Sequence, residues 1–251
     1  MRKILIIGIG AGDPDYVTVQ AVNALNRVDA FFIPDKGTEK EDLARLRLEI
    51  CERYIRDRAY RLVDFKTPAR ANDCPDYRLS VQDWHSRIEQ GYETLLVEEL
   101  GEGECGAFLV WGDPTLYDGT LRILKDMQAA GWDFAIEVIP GISAPQALAA
   151  QHQVTLNRVG EAVTITTGRR VGEGEADDLT SAVVMLDNHQ AFRRFESDGA
   201  EIFWGAYLGT ADEILVSGPI SEVKDEIDAR RSEAQARHGW IMDTYMIRKP
   251  E

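Results

Sequence analysis

Three short segments place glycine where a backbone must come close to something else. They are Gly8-Ile9-Gly10-Ala11-Gly12-Asp13-Pro14, Trp111-Gly112-Asp113-Pro114-Thr115-Leu116-Tyr117 and Val138-Ile139-Pro140-Gly141-Ile142-Ser143-Ala144. Small residues in such loops let a ligand approach the main chain. The first segment invites comparison with the dinucleotide fingerprint G-x-G-x-x-G, but its spacing is G-x-G-x-G. Pro14 blocks a helix from starting smoothly at the third glycine, and the acid expected about 20 positions on is at best Asp29 or Asp35. Taken alone, each Gly-Asp-Pro tripeptide is equally well explained as a turn.

The elements around these loops make them more specific. Residues 3–9 (KILIIGI) read as a central strand buried on both faces, 107–111 (AFLVW) as a buried strand and 134–139 as a further apolar strand. Further strands are expected at 28–33 and 60–65. Helices are expected after Thr18, which is placed as an N-cap, and at 41–58, 77–100, 121–130 and 143–151. Strand and helix alternate through about residue 152, the pattern of a doubly wound parallel sheet. In such a sheet ligands bind outside the carboxyl ends of the strands, and all three glycine loops fall on that edge. Beyond a polar stretch at 153–160, strands are expected at 162–167, 181–186, 201–207, 213–217 and 240–247, with helices at 190–197 and 221–238. The expected architecture is therefore α/β with two lobes: residues 1–152 as a parallel doubly wound lobe and 153–251 as a mixed α/β lobe.

Composition limits the chemistry. The 251 residues carry 28 basic and 43 acidic side chains, a formal charge of −15, which disfavours nucleic acid as a partner. No apolar run approaches the roughly 20 residues of a membrane span. Met1-Arg2-Lys3 leads into too short an apolar stretch for a secretory leader, so none is expected. Three scattered cysteines give neither a disulfide framework nor a metal spacing, and with four histidines equally unpatterned no metal is expected. A reducing, cytoplasmic compartment follows as the expectation.

In order along the chain, the loops resemble the motifs of one family, the tetrapyrrole (precorrin-type) methylases. A strand running into G-x-G-x-G-D and then L-T-x-x-A matches residues 7–21, with Val17 in the leucine position. The family's G-D-P loop matches Gly112 to Pro114, and its P-G-[IV]-[ST]-[AS] motif matches Pro140 to Ala144. In the second half, the strand 183–186 and the segments Tyr207-Leu208-Gly209-Thr210 and Ser217-Gly218-Pro219-Ile220 continue the match. The resemblance implies S-adenosylmethionine as methyl donor, folded in the cleft between the two lobes, a tetrapyrrole substrate and a homodimer. Carried over position by position, it implies donor contacts at Ala11 (where the family usually has proline), Gly112, Asp113, Leu116, Ser143, Ala144, Leu186 and Gly209. Asp113 would pair with the donor ammonium or a ribose hydroxyl. A shift of one residue would put Met185, not Leu186, against the adenine.

The segments Asp35-Lys36-Gly37, 47–55 and Asp83-Trp84-His85 resemble more closely one branch of the family, whose reaction couples methyl transfer to loss of an acetyl group. That chemistry needs a base for water and a donor for an oxyanion. Asp35, His85 and Tyr117 are the catalytic candidates, with Lys36 and Asp118 behind them. A substrate rich in carboxylates needs local cations in so acidic a chain. Arg169 and Arg170 are the first choice, ahead of Arg45, Arg47 and Arg53. The competing readings are methylation at another ring position, a nicotinamide- or flavin-dependent oxidoreductase, and a non-catalytic tetrapyrrole binder.

Overall fold

The structure is a computed structural model describing residues 1–35, 41–66, 68, 77–174 and 180–250. Runs of β-branched and aromatic residues form its first sheet: β1 (Arg2–Gly8), β2 (Ala30–Asp35), β3 (Arg61–Lys66), β4 (Cys105–Val110) and β5 (Phe134–Ile139). All pairings are parallel, in the order β3-β2-β4-β1-β5. Alternate residues face opposite ways, and both faces are covered. Leu5, Ile7, Phe31 and Ile33 pack with Ala21 and Leu25 of α1 (Val19–Leu25) and Leu46 and Ile50 of α2 (Glu41–Tyr54). Ile4, Ile6, Phe32 and Phe108 pack on the other side with Ile88 and Tyr92 of α3 (Tyr77–Glu98) and Leu124 of α4 (Thr120–Ala129).

This division of helices follows from handedness. The chain leaves β1 in one direction, through α1 and α2, to the β3 edge. It returns through α3 to β4 and on through α4 to the β5 edge, and right-handed crossovers put the returning helices on the opposite face. The neighbours β1 and β4 therefore send their connections to opposite faces, which makes their carboxyl ends the switch point where such sheets bind ligands. The register also opens a gap. Pairing of β2 with β4 stops at Phe32↔Phe108, whereas β1 with β4 continues to Gly8↔Val110 and β2 with β3 to Asp35↔Lys66.

The second sheet runs β6-β7-β10-β8-β9, from β6 (Thr164–Thr167), β7 (Ser181–Met185), β8 (Glu201–Ala206), β9 (Ile214–Pro219) and β10 (Asp243–Arg248). Only β6 with β7 is parallel among its pairings. Phe192, Phe195, Trp204 and Tyr245 form its core with Ile227 of α7 (Ile220–His238). The chain divides into two compact units: Met1–Gly10 with Pro14–Ile142, and Ala11–Asp13 with Ser143–Glu251. This division falls ten residues before the expected boundary at 152/153. The reason is α5 (Ala144–Gln151), which packs on β8 and β10. Gly205 leaves room for Leu148, whose Cδ1 would lie 2.8 Å from a β-carbon there.

Several local expectations shift. The helix expected at 41–58 ends at Tyr54. The helix expected at 190–197 is a 3-10 helix, Ala191–Asp198, entered through a left-handed Gln190 at φ 56°. A short helix not anticipated, α6 (Gly168–Gly172), follows β6 directly. Thr18 does cap α1, its hydroxyl accepting from the Ala21 amide at 3.0 Å while the Ala21 side chain is fully buried. That accounts for a threonine three residues ahead of an alanine in the first motif. Thr18→Ala should cost about 1 kcal/mol and lower Tm by about 2–4 °C, read by thermal denaturation.

Candidate active site

At the switch point three chain segments meet with no side chain between them. A β-carbon on Gly141 would lie 2.2 Å from the Gly112 carbonyl oxygen, and one on Gly8 would lie 2.6 Å from the Gly141 nitrogen. Beyond the parallel pairing, Gly10 and Gly112 form an isolated antiparallel bridge, the Gly112 N–H donating to Gly10 at 2.8 Å and Gly10 returning at 3.3 Å. Gly10 and Gly112 both adopt left-handed φ, 84° and 71°. The loops after β1, β4 and β5 thus form one backbone-lined junction.

Asp113 locks it. One carboxylate oxygen accepts from the Gly141 amide at 2.9 Å, and the other from the Thr115 amide at 2.8 Å and from the Thr115 hydroxyl. Partial burial pushes the carboxyl pKa up, but the hydrogen bonds from Thr115 and Gly141 outweigh it, leaving the group below its ordinary value. In the same loop Tyr117 is exposed and left-handed at φ 54°, and the Asp118 carboxylate accepts from the Thr120 amide at 2.8 Å to start α4. Arg47 reaches from α2 to the carboxyl end of β4, beyond the last β2–β4 pair. It is buried, and its Nε–H donates to the Leu109 carbonyl at 2.9 Å. Burial lowers its pKa to about 10, opposed by the charge of Asp118, so it stays protonated at neutral pH.

In the second unit, the segment Ala11–Asp13 meets the turn after β8. A β-carbon on Gly12 would lie 2.1 Å from the Leu208 carbonyl oxygen. Ala11 is buried. Gly209 is left-handed at φ 75°, and its N–H is used by Glu213 at 2.7 Å, so its amide is already engaged. Ser143, at the N-cap of α5, is buried with its hydroxyl on Gln146, and Ala144 begins the helix. Met185 is half-buried in β7, whereas Leu186 is left-handed at φ 55° with 64% of its surface exposed.

A family model for the tetrapyrrole (corrin/porphyrin) methylases matches residues 3–224. The chain belongs to the tetrapyrrole methylases. It is 54% identical over 250 residues, 99% of this chain and 96% of the relative, to a protein of Sinorhizobium sp. named precorrin-6A synthase [deacetylating]. Among solved structures it is similar to CobF, a cobalamin-synthesis-related protein of Corynebacterium diphtheriae, at 35% identity and a TM-score of 0.84, with both chains fully covered. The cobalt precorrin-4 methyltransferase CbiF shares the fold at 19% identity and a TM-score of 0.61, over 98% of this chain and 94% of that one.

The topology also argues against the dinucleotide reading. In a methylase sheet of this order β4 lies between β1 and β2, so an acid at the end of β2 is two strand spacings, about 10 Å, from the first glycine loop. Asp35 is that residue; Asp29 precedes β2 at the opposite end of the sheet. No helix begins at the third glycine either, because a 3-10 turn, Pro14–Tyr16, intervenes and α1 starts at Val19.

The catalytic and substrate candidates are spread out. Asp35 is the last residue of β2, on the carboxyl edge beside the β2–β4 gap; its side chain, like that of His85 in α3, lies outside the described residues, as does Lys36 altogether. Arg169 and Arg170 sit exposed on α6, directly after the end of β6, and Arg169 pairs with Glu173 at 2.9 Å. Arg53 is paired with Asp15, and Arg45 is exposed. The buried position of Arg47 had no signal in the sequence beyond its place in an amphipathic helix. Among the described residues no cluster of His, Cys, Asp and Glu suited to a metal is present.

Two outcomes test the junction. Gly141→Ala should destabilise the protein by about 1–3 kcal/mol and weaken donor binding, since the clashing atom is backbone; denaturant unfolding and calorimetry read the two effects. Asp113 has a folded pKa below its unfolded one, so its stabilisation is complete above about pH 4 and fades as pH falls through the lower, folded value. Asp113→Asn should lose about 1–3 kcal/mol at pH 7, and its deficit against the parent should shrink in unfolding series taken below pH 4.

Proposed function

We propose that the chain is an S-adenosylmethionine-dependent methyltransferase of cobalamin biosynthesis, methylating C-1 of precorrin-5 with loss of acetate to give precorrin-6A. The observation that carries this reading is 54% identity across 99% of the chain to the Sinorhizobium precorrin-6A synthase [deacetylating].

The residues present fit a donor with a polar amino-acid end and a flat base. The loops after β1, β4 and β5 carry the family's glycine motifs on the carboxyl edge of the sheet, and Leu186 offers an exposed apolar surface. S-adenosylmethionine supplies a methyl carbon already activated by positive sulfur, so the protein's task toward it is positioning. We assign donor binding to Ala11, Gly112, Asp113, Leu116, Ser143, Ala144, Leu186 and Gly209. Asp113 contributes by shaping the loop, since its oxygens already hold Thr115 and Gly141.

For the substrate, water adds to the C-1 acetyl carbonyl, the carbon–carbon bond to the ring breaks, and acetate leaves. The electron pair remaining on the macrocycle forms the new bond to methyl. Asp35 is the preferred base for that water because β2 delivers it to the carboxyl edge of the sheet. Tyr117 is the preferred hydroxyl donor to the developing oxyanion, and His85 the alternative proton carrier. Arg169 and Arg170 supply charge for ring carboxylates, joined by Arg47. A homodimer and a cytoplasmic location complete the proposal; the buried, unpaired Cys51 and Cys105 suit a reducing compartment.

Titration calorimetry should find one site per chain for S-adenosylhomocysteine and none for NAD. Mass spectrometry of a precorrin-5 reaction should then show one added methyl and released acetate. Methyl gain without acetate would place the reaction at another ring carbon, and donor binding without turnover would favour a binder. Asp35→Asn should lower kcat by about 10²-fold or more while leaving S-adenosylhomocysteine affinity within about twofold.

A further inference from the structure

Leu186 combines two unfavourable features. Its left-handed φ of 55° crowds the β-carbon of any L residue, and this aliphatic residue is 64% exposed. The other non-glycine residues with positive φ among those described are Asp57, Tyr117, Gln153, Gln190 and Tyr207. Leu186 is the aliphatic one. Strain of this kind persists only where surrounding structure over-determines it, and it gathers at ligand sites.

The next residue supplies the restraint. Asp187 is buried, and its carboxylate accepts from the His189 amide at 2.8 Å, the Ala191 amide at 2.6 Å and the Tyr245 hydroxyl at 2.7 Å. Its carbonyl accepts from Arg231 at 3.0 Å. Arg231 and the Trp204 indole both donate to Asp243, at 3.1 and 3.0 Å, so the anchor extends through β8, β10 and α7. Gly168 is required opposite: a β-carbon there would lie 2.3 Å from the Asp187 carboxyl carbon. Asp187, Arg231, Trp204 and Tyr245 are all buried, whereas the adjoining Leu186 is not.

We propose that Asp187 is a positioning residue whose buried carboxylate holds Leu186 outward as an apolar perch for the flat ring of the methyl donor. The inference rests on the reading of the chain as a donor-binding methylase. It explains why a leucine occupies a position that glycine would fill without strain: the side chain is kept for a ligand.

The test uses the full-length protein, S-adenosylhomocysteine as probe, calorimetry for Kd and thermal denaturation for Tm. Leu186→Gly should raise Tm by about 2–4 °C yet weaken binding about tenfold. Leu186→Met should bind within about twofold of the parent. Asp187→Asn, or Tyr245→Phe if that variant does not fold, should lower Tm and weaken binding in the parent background, but cost no further affinity once Leu186→Gly is present. An unchanged Kd in Leu186→Gly overturns the perch, and so does an equal loss from Asp187→Asn in both backgrounds, which is what a merely structural carboxylate would give. If the parent itself ignores S-adenosylhomocysteine, the donor reading and the perch fall together; a parent that binds isolates the perch.

Discussion

Three strand ends in the first unit can meet only because Gly8 and Gly141 carry no β-carbon, each packing against the Gly112 carbonyl. Parallel strands stand about 4.8 Å apart and their loops ordinarily diverge. Here the loops turn toward one another, Gly10 and Gly112 bridging antiparallel and Asp113 tying the β4 loop to the β5 loop. The carboxyl ends of β1, β4 and β5 are thereby covered by main chain. The Gly10, Gly112 and Gly141 amides there are already paired, with Gly112, Gly10 and Asp113, so the junction is rigid as well as compact.

The second unit solves a related problem with charge in place of glycine. Asp187, Arg231 and Asp243 are buried together with the Tyr245 hydroxyl and the Trp204 indole. Burial raises the pKa of Asp243, although the Arg231 charge and the hydrogen bonds pull the other way. Such a network is a poor route to stability, since an apolar replacement of equal volume often does as well. Its effect is geometric. It ties the backbone from Asp187 to Ala191, where the 3-10 helix begins. In both units, an exposed, bulky, left-handed residue stands beside an aspartate-held turn: Tyr117 near Asp113 and Leu186 beside Asp187.

Much of this was legible from local signals. The parallel sheet announced itself through buried runs and regular alternation, and the three loops through glycine after an apolar strand. Thr18 was recognisable as a cap because capping is a local hydrogen bond. What escaped the sequence depends on partners far along the chain. The Asp187–Tyr245 bond spans 58 positions, and without it residues 190–197 read as an ordinary helix. The start of the second unit at Ser143 depends on α5 packing against strands about 60 and 100 residues later, which no composition shift marks. Left-handed conformations at Tyr117 and Leu186 contradict intrinsic preference, which is all that local sequence reasoning has to go on.

The charge balance shows why a global quantity constrains partners but not a site. A net charge of −15 disfavours a nucleic-acid partner, because that binding sums many phosphate contacts over a broad surface. A tetrapyrrole bearing several carboxylates is a different problem. Charges beyond about 8 Å are screened at physiological salt, so most of the 43 acidic side chains count for little at one bound carboxylate. What counts is the nearest desolvated cation. Arg47, buried at the carboxyl edge of β4 and still protonated at neutral pH, feels the nearby Asp118 charge with little solvent between, whereas the Arg169–Glu173 pair is exposed and screened. An acidic protein can therefore hold a cationic donor and a polyanionic substrate at once, provided the few charges that face each are placed locally and kept from water.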